Sequence, residues 1–157
     1  VEVYFANNQI LFRSEHISFY TRLLEGNYPD TDRLIPTEFN TEATFNVANL
    51  RFAMERARLL SNATQNGTVK LEFKNGVVSS HVHSPEVGRV NEEIDTSAVS
   101  GEDLSISFNP TYLIEALKAI DSEQVVIRFI SSVRPFTLVP EGNEQGFIQL
   151  ITPVRTN

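Results

Sequence analysis

His81 and His83 stand two residues apart in Val77-Val-Ser-Ser-His-Val-His-Ser84. In an extended strand such residues share a face, and two imidazoles on one face could grip a metal ion together. No third ligand lies at a telling distance, and Val78 and Val82 claim the inward positions. The plainer reading is a strand with Ser79, His81 and His83 turned to solvent. Glu92, Glu93 and Asp95 could act as a paired acid and base, but neighbours in a strand face opposite sides, so a solvated strand accounts for them better. Asn62-Ala63-Thr64 fits the glycosylation pattern; without a secretion signal it reads as a turn ending a helix. There is no phosphate-cradling glycine loop and no nucleophile elbow. With no cysteine, disulfides, thiolate catalysis and thiolate zinc sites are excluded. The expectation is a protein that is not an enzyme and uses no metal or cofactor.

Two other groups of residues stand out. Arg51, Arg56 and Arg58 face one acid, Glu55, on a single predicted helix, in a chain of net charge -7. Such a helix could attract phosphates, and an ordinary solvated helix face accounts for it equally well. The second group is the final run, Gln149-Leu-Ile-Thr-Pro-Val-Arg-Thr-Asn157, where a strand pattern runs into Pro153-Val154 almost at the last residue. Chain ends are commonly polar and loose. An apolar end is either docked in the core or forms one wall of a surface pocket.

These groups need elements to position them. The 157 residues, 41% hydrophobic and 21% charged, can bury a core and leave something over for a second piece. No apolar stretch approaches the roughly 18 residues of a membrane span, and no signal sequence precedes the first strand. With the lack of cysteine this fits the cytoplasm. The organising feature is a segment used twice, about 63 positions apart: Phe45-Asn46 through Leu50 to Ala53-Met54 aligns without a gap on Phe108-Asn109 through Leu113 to Ala116-Leu117. Each copy closes a β-patterned run, opens a helix and precedes three more β-patterned runs. Helical spacing runs through Leu50, Ala53, Met54 and Ala57, and again through Leu113, Ala116, Leu117 and Ile120. Asn109 suits an N-cap, Pro110 the first helical position, and Asn75-Gly76 a two-residue hairpin turn. The prediction is a strand-helix-strand-strand-strand unit built twice into one α+β domain over 41–157. Residues 1–26 read as three short strands with a turn at Ala6-Asn7-Asn8, starting abruptly inside a β pattern as the trailing piece of another domain. Residues 27–40, with Gly26 just before them and Pro29 and Pro36 inside, read as the linker.

Several stretches also resemble the bacterial DNA polymerase III beta subunit, the sliding-clamp family. They are Asn27-Tyr28-Pro29-Asp30 with Arg33-Leu34-Ile35-Pro36, the helix end Ala57-Arg58-Leu59-Leu60-Ser61-Asn62, Ser107-Phe108-Asn109-Pro110-Thr111-Tyr112-Leu113, and Thr152-Pro153-Val154-Arg155. The resemblance spans essentially the whole chain. It implies the DNA-clamp fold, with two helices on one side of antiparallel sheets, and a processivity factor that closes head to tail as a homodimeric ring around duplex DNA. It further implies the last strands of a middle domain followed by a complete C-terminal domain, a piece not expected to close a ring alone.

By the same resemblance, short peptides from the replicative polymerase, the clamp loader and repair factors would dock in a pocket between the middle and last domains. Pro29, Arg33 and Leu34 match one wall; Asn109, Tyr112, Val133 and Pro135 match a neighbouring groove; Leu150, Ile151, Thr152, Pro153, Val154 and Arg155 match the C-terminal wall. Thr152, Val154 and Thr156 depart from the bulkier apolar residues some members carry there. Leu59 and Leu60 match an apolar pair at the subunit contact. Arg51, Arg56 and Lys118 are the expected DNA-facing cations, diluted on the second helix by Glu115. The rival reading is a stand-alone β-rich protein- or peptide-binding module with no DNA role.

Overall fold

The computed structural model describes residues 1–28, 30, 31, 33–61, 67–84, 88–143 and 146–155. The chain divides into two compact units, Val1–Asp32 and Arg33–Asn157. In the first, β1 (Glu2–Phe5), β2 (Gln9–Arg13) and β3 (Ser18–Arg22) form an antiparallel meander. Phe5 pairs with Ile10, and the three-residue connection Ala6–Asn8 is closed by the Ala6 N–H donating to the Gln9 carbonyl at 2.9 Å. The left-handed backbone that a tighter turn would ask of Asn7 or Asn8 is not used there. Tyr4, Phe5, Phe19 and Tyr20 are exposed, because three strands without a packing layer have nothing to bury them against.

The second unit runs β4 (Thr41–Asn46), α1 (Val47–Ser61), β5 (Val69–Lys74), β6 (Val77–Ser84), β7 (Gly88–Ile94), β8 (Ala98–Gly101), β9 (Leu104–Phe108), α2 (Pro110–Lys118), β10 (Gln124–Phe129), β11 (Phe136–Pro140) and β12 (Gln149–Ile151). The predicted doubling is present in element order and in detail. Asn46 Oδ1 accepts from the Asn49 N–H at 3.1 Å, and Asn109 Oδ1 from the Thr111 N–H at 2.9 Å, so equivalent asparagines cap both helices. Asn75 and Gly76, at φ 51° and 78°, make the tight β5–β6 turn with Lys74 paired to Val77.

The halves are not side by side; they exchange their first strands. One sheet has the order β12-β11-β10-β4-β8 and the other β7-β6-β5-β9. Thus β4 of the first copy completes the sheet of the second, and β9 does the reverse. The registers correspond: Phe45 faces Val125 as Phe108 faces Val69, and Thr41 faces Phe129 as Leu104 faces Phe73. The equivalent rings of Phe73 and Phe129 meet at 4.9 Å, with Phe136 at 5.1 Å from Phe129 and Phe108 at 5.1 Å from Phe136. This phenylalanine cluster joins the inner faces of the two sheets. Above it α1 lies mainly on β6, α2 reaches β12, and the helices pack against each other. Leu50, Met54, Leu113 and Leu117 are fully buried there, as their spacing predicted.

One strand has no counterpart in the sequence reading. β8 pairs with β4, and Gly101 at its end has φ +97°, where an added Cβ would stand 1.9 Å from the Asn40 carbonyl oxygen. Gly101→Ala therefore combines a left-handed strain with a backbone clash, and an unfolding free energy lower by about 1–3 kcal/mol is expected in a urea titration. The second copy echoes β8 with its tail. The Ser97 N–H donates to Thr44 O at 2.8 Å, and the Val154 N–H donates to Ser107 O at 2.7 Å, Thr44 and Ser107 being equivalent positions of the repeat.

Candidate functional site

α1 buries Leu50, Ala53, Met54 and Ala57 and leaves Asn49, Phe52, Arg56 and Leu59 exposed. The three expected cations on the helices each meet a carboxylate. Arg51 Nε lies 3.8 Å from Glu55 one turn on, with its guanidinium over the Phe52 ring at 5.4 Å. Lys118 Nζ contacts Glu115 at 2.8 Å. Arg56 donates through both Nε and a terminal nitrogen to the Glu92 carboxylate on β7, and that hydrogen bonding, with the charge of Glu92, raises its pKa above the ordinary arginine value. Strand alternation alone makes Glu92 a solvated strand residue. It faces α1 while Glu93 points away, as the opposite-face argument requires, but its carboxylate offsets part of the positive excess counted along the helix. The two separate because Glu92 is 36 residues from Arg56 in sequence.

Leu59 and Leu60 do different things. Leu59 is 71% exposed, whereas Leu60 is half-buried and packs on the core cluster. Close by, β7 is an edge strand packed beneath α1 and unpaired on its outer side among the described residues.

The residues expected to form a docking pocket gather into two grooves. The first, about 310 Å³, lies between α2 and β12 and is lined by Tyr112, Leu150, Ile151 and Thr152, together with Glu115 and Gln149. Ile151 is a core residue, 2% exposed, so Leu150 and Tyr112 supply most of the apolar surface. The second, about 640 Å³, collects Val133, Val154 and Arg155 with Lys70, Ser105 and Ser107. Asn109 spends its carboxamide oxygen on the α2 cap, and Pro135 and Pro153 are half-buried beside these grooves in sequence. Arg33 and Leu34 lie in a turn at the start of the second unit, both exposed, and line neither groove. Pro29, Thr156 and the Asn62-Ala63-Thr64 turn lie outside the described residues. Lys70, Ser105 and Ser107 were missed by the sequence reading. Strand alternation turns them outward, but their place beside the chain end follows only from the β5–β9 pairing and the Val154–Ser107 bond.

The doubled α+β scaffold, with its grooves, strand edge and exposed helix faces, is shared by solved structures of DNA polymerase III beta subunits. The crystal structure of the DNA polymerase III beta chain from Streptococcus pneumoniae superimposes with a TM-score of 0.91 at 78% identity, covering 98% of this chain and 41% of that one. The beta subunit from Thermotoga maritima superimposes with a TM-score of 0.89 at 26% identity, over 99% of this chain and 41% of that one. Residues 32–155 match the family model of the DNA polymerase III beta subunit, C-terminal domain, and the chain belongs to that family. Among curated relatives, proteins called beta sliding clamp are 79% identical over 157 residues in Streptococcus pneumoniae and 55% identical over 159 residues in Lactococcus lactis. The chain aligns over its full length with both and spans 42% of each relative. No helix among the described residues is long and apolar enough to cross a membrane.

Proposed function

We propose that this chain is part of a cytoplasmic, non-enzymatic sliding clamp: a processivity factor that closes as a head-to-tail homodimer around duplex DNA and docks polymerase, clamp loader and repair factors by short peptides. The observation that carries the reading is the 79% identity, along the entire chain, to a protein called beta sliding clamp. The chemistry is coherent with it. A processivity factor must stay on DNA without gripping it. Arg51, Arg56 and Lys118, each already shared with a carboxylate, would offer the phosphates a weak, sequence-independent attraction that leaves the duplex free to slide. Leu59 and the open edge of β7 would meet the partner subunit, while Tyr112, Leu150, Thr152, Val133, Val154 and Arg155 would receive client peptides. The remaining wall of that pocket, and the layer that covers the aromatics of β1–β3, would come from the rest of the intact protein.

The test uses the intact clamp loaded on nicked circular DNA. Retention through gel filtration and release within one dead time of linearisation are expected. Retention unaffected by linearisation would show affinity binding instead and sink the topological mechanism. The same pairing of every candidate cation favours the rival, a peptide-docking module without a DNA role, and no retention on circles at all would establish it.

A further inference from the structure

We propose that the outer face of the four-stranded sheet is a cationic trough holding an acidic segment that flanks the docked client peptide. The inference rests on the docking reading above and adds to it the path and charge of the client beyond the pocket. β5 and β6 bury Val69, Leu71, Val78 and Val82, so their alternate residues emerge on the side of the sheet away from α1. The pairing sets these in two rows across the strands. Ser107, Lys70, His81 and Asn91 form one, and His83 and Arg89 pair in the next, with Thr68 also on the groove wall. Together they line a groove of about 540 Å³. It shares Lys70 and Ser107 with the 640 Å³ groove that ends on Val133, Val154 and Arg155, so the trough is continuous with the proposed peptide pocket. From the tail across β9, β5 and β6 to β7 is roughly 19 Å at the usual strand spacing, the reach of about six extended residues.

The charge of the trough runs against that of the chain, whose net value is -7. Lys70, Arg89 and Arg155 carry its positive charge. Carboxylates lie along one margin: Glu72 is 3.7 Å from Lys70 and 3.6 Å from the His81 ring, and Glu93 stands in the same row. Arg89 and Arg155 have no carboxylate partner among the described residues. The His81 ring is held at both nitrogens, Nδ1 at 2.8 Å from Asn91 Oδ1 and Nε2 at 2.9 Å from Ser79 Oγ, so the middle of the trough is fixed in place. Charge complementarity selects an acidic occupant. Continuity with the pocket selects a chain segment attached to the docked peptide, and the position opposite the helices separates this surface from the one assigned to DNA.

The test is fluorescence anisotropy on the intact ring with a synthetic client-type peptide, unextended or extended at either end by Glu-Ser-Glu-Ser-Glu-Ser or Gln-Ser-Gln-Ser-Gln-Ser. At low ionic strength one of the two acidic extensions should bind about fivefold more tightly than its glutamine counterpart, an advantage that salt removes. A ring carrying Arg89→Glu, a change confined to the trough, should lose that advantage yet bind the unextended peptide as before. Equal binding of acidic and neutral extensions at both ends would overturn the proposal, as would an advantage that survives the Arg89→Glu substitution. Failure of the unextended peptide to bind the unsubstituted ring would overturn the docking reading itself.

Discussion

Phe129→Ala lowers the unfolding free energy by about 3–5 kcal/mol, the range for deleting a buried ring from a close-packed core. Phe129 is completely buried and touches its repeat-equivalent Phe73 and also Phe136, at the junction of the two sheets. The cavity would therefore open where both halves meet. Guanidinium denaturation of the intact protein, following the transition of this domain, measures the loss. Phe52→Ala serves as the control: that ring is 49% exposed on α1 and should change stability little. Equal losses at the two positions would mean the sheets are not joined through this cluster.

Leu59→Lys is the second change with a large expected effect, and it reads assembly instead of folding. If Leu59 is buried against the partner subunit, an ammonium placed there must be desolvated without a counter-charge. Ring closure should weaken by about 3 kcal/mol, more than a hundredfold in the dissociation constant. Because the side chain is 71% exposed in the isolated fold, thermal stability of the separated subunit should stay nearly unchanged. Leu60→Ala should behave differently, lowering subunit stability as well, since Leu60 packs on its own core. Analytical ultracentrifugation against protein concentration separates the two. An unaltered dimerisation constant for Leu59→Lys would remove this end of α1 from the subunit contact.

The doubled architecture was legible because its signals are local and repeated. Phe45-Asn46 and Phe108-Asn109 mark the ends of equivalent strands and the caps of equivalent helices, and Asn75-Gly76 can adopt the paired left-handed conformation that few other dipeptides accept. β8 was not legible: Ala98-Val-Ser-Gly101 is short, carries one strong strand former, and exists because Thr41–Thr44 present an edge to it. The exchange of β4 and β9 was equally silent, since alternation tells which face a residue takes and not which strand lies beside it. The same blindness hid the Glu92 partner of Arg56 and the placement of Lys70 next to Arg155. The pocket residues were named through family likeness. Their division into a groove on α2 and another on β9 follows from where β12 ends and the tail crosses to Ser107.

The interlocking of the copies has a consequence for how the molecule acquires its shape. Neither copy owns a finished sheet: β4 must wait for β10, roughly 80 residues downstream, and β9 must reach back past three earlier strands to β5. Most of the loop-closure entropy is thus lost before the central rings can meet, which favours a slow, all-or-none transition over two half-sized foldons. A ribosome emitting this polypeptide would hold an incomplete β5–β6–β7 ribbon, with its seam to β9 still open, until the second copy emerged.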